Sequence, residues 1–502
     1  MIEQVQENPQ IPVKAVREQL QRKYELEVSR MKAYRAKTRG KKIIEGDYMM
    51  EYGRLRDYVL ELEDKNPGTT AKIEVEPEPN HTEHTRRFKR IYICLGPLKD
   101  GFKKLGRDLL GLDGCFMKGP YPGQILTAVG IDSNNGIYPV CYAIVEAENI
   151  SSWTWFLDLL ADDLDLNSNS NFTFISDRQK GLLPAINRMF PCAEHRYCLR
   201  HIHENMKGTH MGKVYKDKLW ACATATTIPE FNTVMDDLKA FNKEAHKWLS
   251  KIPPKHWSRS HFSVGRAVSD VLLNNMCEVY NAKIVEGRDK PIIGALEYIR
   301  EYLMRRIVTV LMVIEKNEGL LTPYATKMLE VIKKEATHYQ VKWNGGNLYE
   351  VSGKPGQQRV VDLDKKSCSC RRWEITGIPC SHAVASIWFM ASNGQRTGAI
   401  EGWCHPMYTM ARWKMVYDCK INPINGRPLW PKCQLPTTIT PPKHHTPIGR
   451  PNKARKRSAS EIEEMNKGGK LSKKNTLGAC SKCGNKGHNK RTCKGQGGNQ
   501  QA

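Results

Sequence analysis

Two groups of cysteines and histidines have spacings suited to holding a metal. Cys368-x-Cys370, nine residues, then Cys380-x-His382 offers three thiolates and an imidazole. Four such ligands close a tetrahedral zinc site with no open position, which makes it structural rather than catalytic. Cys480-x2-Cys483-x4-His488-x4-Cys493 offers a second set, with Gly484 and Gly487 at its tight turns. That segment has no core of its own, so zinc would supply its folding energy. Among the carboxylates, Asp113 and Asp177 each close a predicted strand, and Glu278 lies on a later predicted helix. Three carboxylates brought together can hold two hard divalent ions, the arrangement that serves in-line phosphoryl transfer. An aspartate at a strand end is more often a cap or turn residue, so spacing alone does not unite the three.

The elements that would position these residues follow from periodicity. Tyr52, Leu55, Val59 and Leu62 recur at helical spacing until Asn66-Pro67-Gly68 ends the run. Leu109–Leu112 reads as a buried strand ending at Asp113. Gln124–Ile131 and Ile137–Val145 read as strands joined by the turn Asp132-Ser133-Asn134-Asn135-Gly136. A helix over Ser151–Leu160, a strand Phe172–Ile175 closing at Ser176-Asp177, a helix through Leu182 and Ile186, and a strand Glu194–Cys198 come next. That order predicts an α/β fold with a mixed sheet. Residues 199–260 are helical in pattern, anchored by Trp220, Phe231, Leu238, Phe241 and Trp248, and a further helix spans Asp270–Val285. Short strands lead into the first cysteine group, and the apolar helix Ala383–Met390 follows it.

Charge divides the chain unevenly. The 502 residues carry 78 Lys and Arg against 53 Asp and Glu, a net of +25. Residues 441–502 hold 15 basic residues and 3 glutamates, so nearly half of the excess sits in the last eighth. A folded body with a basic tail suits a polyanionic partner. With 40% hydrophobic residues the body has ample core material. No apolar run reaches 18 residues and the N-terminus has no secretory pattern, so no membrane partner is expected and the cysteines are read as reduced thiols. From about Pro436 the chain is rich in Pro, Lys and Gly, which reads as a disordered linker. Within it, Gly449-Arg450-Pro451 with Lys453, Arg455, Lys456 and Arg457 resembles a degenerate AT-hook. Minor-groove binding, nuclear import and a solvated charge run all fit that stretch.

Longer motifs carry a family resemblance. Leu112-Asp113-Gly114-Cys115-Phe116-Met117-Lys118-Gly119, Glu146 to Phe156 with its Ser-Trp-Thr-Trp-Phe, and Ile175-Ser176-Asp177-Arg178-Gln179-Lys180-Gly181-Leu182 resemble the plant Mutator-like element (MuDR-type) transposases. Asn274-Asn275-Met276-Cys277-Glu278-Val279-Tyr280-Asn281 and Glu286 to Pro291 extend the likeness, which covers roughly residues 85–440. The resemblance implies an RNase H-like fold with a DDE triad at Asp113, Asp177 and Glu278, and an all-helical insertion at about 199–265. It further implies Mg²⁺ or Mn²⁺ at the triad, DNA (element ends and target) as partner, a nuclear location and action as a multimer. The family's Cys-x-x-His pair is matched by Cys198 and His201. Two ligands do not close a zinc site, so a structural or DNA-positioning role is favoured over metal.

The first cysteine group resembles the SWIM zinc finger, helped by Gly377-Ile378-Pro379-Cys380-Ser381-His382, and the second has the spacing of a CCHC zinc knuckle. Two structural zinc sites are therefore expected. Knuckles commonly bind single-stranded nucleic acid, and Lys482, Lys490 and Arg491 supply charge here, without an aromatic stacker.

The expected division is an N-terminal helical remnant of a DNA-binding region over 1–84, the RNase H-like body over 85–335 and a SWIM region over 336–435. A basic linker over 436–475 and the knuckle over 476–502 complete it. Val13 to Lys37 resembles only the tail of the family's DNA-binding domain, and no cysteine precedes Cys94. Two functions remain open on this reading: an active DNA transposase, and a catalytically silent, domesticated relative acting as a nuclear DNA-binding or transcription-regulating protein. An RNA-binding role for the knuckle would leave the α/β body unexplained.

Overall fold

A computed structural model describes residues 11–442 apart from 26, 46–47, 78–83, 119–120, 122 and 354–356. The expected knuckle ligands Cys480, Cys483, His488 and Cys493 lie outside the described residues. So do the basic positions Arg450, Lys453, Arg455, Lys456, Arg457, Lys482, Lys490 and Arg491.

Near the start, helices α1 (Val13–Tyr24) and α2 (Arg30–Glu45) share a small core of Ile11, Val16 and Ala33. Helices α3 (Tyr48–Gly53) and α4 (Leu55–Lys65) then bury Tyr52, Leu55, Tyr58 and Leu62 against the main core. The strands follow: β1 (Thr70–Pro77), β2 (Thr85–Cys94), β3 (Leu109–Phe116), β4 (Gln124–Ile131) and β5 (Ile137–Val145), with α5 (Gly96–Leu105) between β2 and β3. After α6 (Ile150–Leu164) come β6 (Thr173–Ser176), α7 (Leu182–Met189) and β7 (Glu194–Tyr197).

The sheet order is β1-β2-β5-β4-β3-β6-β7. β3, β4 and β5 are antiparallel neighbours, whereas β3, β6 and β7 run parallel, so the sheet is mixed. Strands β4 and β5 are buried along nearly their whole length, as expected of a sheet covered on both faces. Their hairpin turns where it was predicted to, with Asn135 in the left-handed region at φ 60°. Helix α6 starts from a capping box, in which Asn149 and Ser152 satisfy each other's backbone N–H.

The insertion comprises α8 (Leu199–Met206), α9 (Lys213–Thr224), α10 (Ile228–Phe241) and α11 (Lys243–Ser250), closed by two short 3₁₀ turns. It has its own core around Leu219, Phe231, Leu238 and Trp257. Phe241, expected as an apolar anchor, is exposed, with the Lys218 ammonium over its ring. Next come α12 (Asn275–Lys283), α13 (Ile292–Glu315) and α14 (Pro323–Ala336). A second, four-stranded sheet follows, made of β8 (Gln340–Trp343), β9 (Leu348–Ser352), β10 (Gln358–Asp362) and β11 (Ser367–Cys368). Helices α15 (Arg372–Thr376) and α16 (Ser381–Ser392) pack with it around a separate core.

The main sheet draws on residues from both sides of the 85–335 span. β1 lies before it, and β12 (Thr438–Thr440) joins β2 in parallel from within the stretch read as linker. Because β1 covers one edge of β2 from Arg86 to Cys94, β12 must share the other edge with β5. Helix α17 (Met410–Tyr417) also returns, burying Trp413, Val416 and Tyr417 in the main core. Among the described residues no helix is long and apolar enough to cross a membrane.

Candidate active site and zinc centre

Leu112 and Ser176 are the last residues paired between parallel β3 and β6. Asp113 and Asp177 are the next residue on each strand, so the two carboxylates adjoin where that pairing stops. Strand β3 does not end at Asp113 as its sequence suggested. It runs on to Phe116 because β4 keeps pairing with it (Asp113 opposite Thr127), and only the β6 side opens. Asp177 begins a turn in which its Oδ1 accepts the Gln179 N–H at 3.1 Å.

The third expected carboxylate comes from α12, which packs across β3, β4 and β5. That helix begins at Asn275, not at Asp270. Residues ahead of it are held in other bonds: Leu272 O accepts the Leu199 N–H, and the Asn274 N–H points at Cys198 Sγ. The Asn274 side chain donates to Leu112 O at 2.9 Å instead of capping the helix. Two turns on, Asn281 Nδ2 donates to Asp113 Oδ2 at 2.8 Å. Asn281 is 8% exposed, and its Oδ1 has no partner. Glu278 lies between them and is ion-paired with Arg200 of α8.

Like charges dominate this corner. Burial raises Asp113 to about 6, with Asp177 and then Glu278 adding to the rise against the Gly114 N–H and His201. A further carboxylate, Glu148, is raised to about 7 by burial and by the charges of Asp177 and Asp113. Sequence reasoning missed Glu148. His201 is raised to about 9, first by its bond to Cys198 and, against its own burial, by Cys198, Asp177 and Asp113. Burial pushes the Cys198 thiol up, but the hydrogen bonds from His201 and the Asn274 N–H outweigh it and the net shift is downward. The two groups thus shift each other in opposite senses, the thiol downward and the imidazole upward.

Cys198, His201 and Glu278 present ligand atoms all within 4.8 Å of one another; among the described residues, Asp113, Asp177 and Glu278 do not form so tight a group. Glu278 is instead paired with Arg200 and grouped with Cys198 and His201. Asp113, Asp177, Glu148 and the orphaned Asn281 Oδ1 offer oxygen donors only, the ligand type that suits a hard divalent cation such as Mg²⁺ or Mn²⁺.

The zinc centre is tighter. Cys368, Cys370, Cys380 and His382 lie within 4.8 Å of one another, the three cysteines fully buried. His382 Nδ1 is 3.8 Å from both Cys368 Sγ and Cys380 Sγ. A tetrahedron with bonds of ~2.0–2.3 Å has ligand–ligand edges of roughly 3.5–3.8 Å, so these four need only a small contraction to bind zinc. Pairing of β11 with β10 sets Cys368, and the start of α16 sets Cys380 and His382. Cys370 is held well below an ordinary thiol by hydrogen bonds from Cys368 and Cys380, which are themselves pushed up, so without metal the three thiols share their protons. Just beyond, Arg371 sits at φ 61° and sends its guanidinium into the insertion, donating to the carbonyls of Thr226, Arg259, Ser260 and Phe262. Nothing in the sequence marks this tether, because its acceptors are backbone carbonyls more than 100 residues away.

Comparison with known families agrees with this geometry. Residues 109–205 match the MULE transposase domain and residues 349–389 match the SWIM zinc finger. The first match contains Asp113, Glu148, Asp177, Cys198 and His201, whereas Glu278 falls beyond its end. The second contains all four zinc ligands. No curated protein matches the chain.

Proposed function

We propose that this chain, which carries a MULE transposase domain and a zinc-binding SWIM finger, is a DNA transposase that cleaves and joins DNA by metal-dependent phosphoryl transfer. The observation that carries the reading is the adjoining placement of Asp113 and Asp177 past the last pair of β3 and β6, with α12 bonded to Asp113 through Asn281. Within the order β5-β4-β3-β6-β7 only β4 runs against the other four strands, which supports an RNase H-like assignment.

On this reading Asp113, Asp177 and Glu278 hold Mg²⁺ or Mn²⁺. Such ions activate a water or a 3′-hydroxyl and stabilise the leaving oxygen of an in-line displacement. The chain's own part is positional. Asn281 fixes the Asp113 carboxylate, the turn at Gln179 fixes Asp177, and Arg200 and His201 supply positive charge beside them for phosphates. Cys198 and His201 serve as a structural or DNA-positioning pair. The basic tail, including the AT-hook-like stretch and a second zinc site at the knuckle, adds DNA or single-strand affinity. The protein acts in the nucleus as a multimer.

A second reading, the catalytically silent DNA-binding relative, is favoured by the pairing of Glu278 with Arg200 away from the two aspartates. Incubating the purified chain with terminal-inverted-repeat DNA separates the two. Nicking or joining that needs Mg²⁺ or Mn²⁺ and vanishes in Asp177→Asn, with DNA binding retained, is the transposase result. DNA binding with no cleavage under either ion is the silent one.

A further inference from the structure

Glu148 lies in the Glu146–Phe156 stretch but in neither the expected triad nor the zinc sets, yet the sheet register delivers it to the same corner. Side chains alternate across a strand, so Asp113 and Gly114 face opposite sides of β3. Asp113 is opposite Thr127, which is opposite Tyr142, and this row faces α12, whose Asn281 reaches Asp113. Gly114 is opposite Leu126, then Ala143, then Tyr92, whose ring meets Phe156 of α6. Gly114 therefore faces α6.

The Glu148 carboxyl fills the space a side chain at 114 would take. A Cβ there would lie 2.9 Å from its Cδ and 3.0 Å from each oxygen. Two further bonds hold Glu148. Trp153 Nε1 donates to its Oε1 at 3.3 Å, and Gln179 Nε2 donates to its backbone O at 3.0 Å. Gln179 also gives its N–H to Asp177 Oδ1, so one residue ties Glu148 to the second aspartate. No cation among the described residues is bonded to the Glu148 carboxylate. On the opposite face, the orphaned Oδ1 of Asn281 marks a ligand that the corner lacks among its own side chains.

We infer that Glu148 is a fourth carboxylate of the divalent-metal site, reaching Asp113 and Asp177 from the α6 face while Asn281 and Glu278 approach from the α12 face. This rests on the metal-dependent reading above and adds a ligand that the three-carboxylate pattern does not contain. Any side chain at 114 would press on the carboxyl and shift it from this position.

Mn²⁺ titration of the zinc-loaded full chain, read by electron paramagnetic resonance, tests it. Wild type is expected to bind Mn²⁺, and Glu148→Gln to bind at least tenfold more weakly with a melting temperature no lower than wild type. Gly114→Ala leaves Glu148 in place but displaces its carboxyl, and is expected to weaken Mn²⁺ similarly, which guards against misfolding of the first variant. Wild-type affinity within twofold in both variants overturns the assignment of Glu148 and leaves the metal site standing. A wild-type chain that binds no Mn²⁺ at millimolar concentration overturns the metal-dependent reading itself, and this inference with it.

Discussion

Asn281 donates from α12 to the Asp113 carboxylate on β3 at 2.8 Å, joining residues 168 positions apart in the chain. The bond makes the last helix of the site a direct support for its first carboxylate. It also leaves the helix that carries Glu278 sensitive to anything that lifts it from β3.

Gly111 supplies the sharpest test of that seating. A Cβ at 111 would strike Asn274 Oδ1 and come within 2.8 Å of Met276 Cγ and 2.9 Å of Cys277 Sγ. Gly111→Ala should therefore push α12 outward, destabilising the chain by roughly 1–3 kcal/mol as overpacking does. Thermal melting would register the loss, and any metal-dependent DNA cleavage should fall with it. An unchanged melting temperature would mean that α12 is not seated as described.

The crowded carboxylates give a pH signature. Asp113 is raised from 3.8 to about 6 in the folded state, so the folded protein binds that proton more tightly than the unfolded chain does. Its favourable contribution is complete below about pH 4 and is lost as pH rises through about 6. Without divalent ions, Asp113→Asn should be more stable than wild type at pH 7.5, by something on the order of 1–3 kcal/mol. Below pH 4 the gain should disappear. Melting curves in chelator across pH 4–8 would show a widening gap, and a gap independent of pH would contradict the raising of Asp113 by burial and its acidic neighbours.

Zinc removal should act on the finger and on its docking together. Cys380→Ser removes a buried ligand and should lower bound zinc by about one per chain, since each closed four-ligand site holds one ion. It should also loosen the Arg371 tether and expose the Thr226 and Ser258–Phe262 stretch to proteolysis. Cys483→Ser should likewise remove about one zinc if the knuckle is a second closed site. Metal analysis showing no change in either variant would refute that site.

Asp132 tests whether the returning C-terminal segment is part of the body. Its Oδ2 accepts from Tyr417 at 2.8 Å and Trp413 at 3.3 Å, and its Oδ1 accepts two backbone N–H groups of its own turn. Asp132→Ala leaves buried donors unpaired and should cost about 3 kcal/mol or more. Protease cleavage near α17 should accelerate in the variant.

What could be read from the chain alone was what local pattern encodes. The β4–β5 hairpin announces itself through Asp132 to Gly136, and α6 through its apolar spacing. The zinc ligands of the finger are legible because metal spacing is local. Membership of β12 in the sheet is not, since Thr438-Ile439-Thr440 is too short for a strand signal and pairs with residues about 350 positions earlier. Helix α12 starts later than its periodicity predicts because Asn274 uses its amide on β3, a tertiary choice no periodicity reveals. Glu148 stayed hidden for a similar reason: its placement depends on the room left by Gly114 across a sheet register.

The most direct test of the account is a crystal of this chain soaked in Mn²⁺ and measured for anomalous scattering. Two peaks ~3.5–4 Å apart, both touching Asp113 and Asp177, are the expected result for two-metal chemistry. A lone peak among Cys198, His201 and Glu278 with none at the aspartates, or no peak outside the zinc finger, would contradict it.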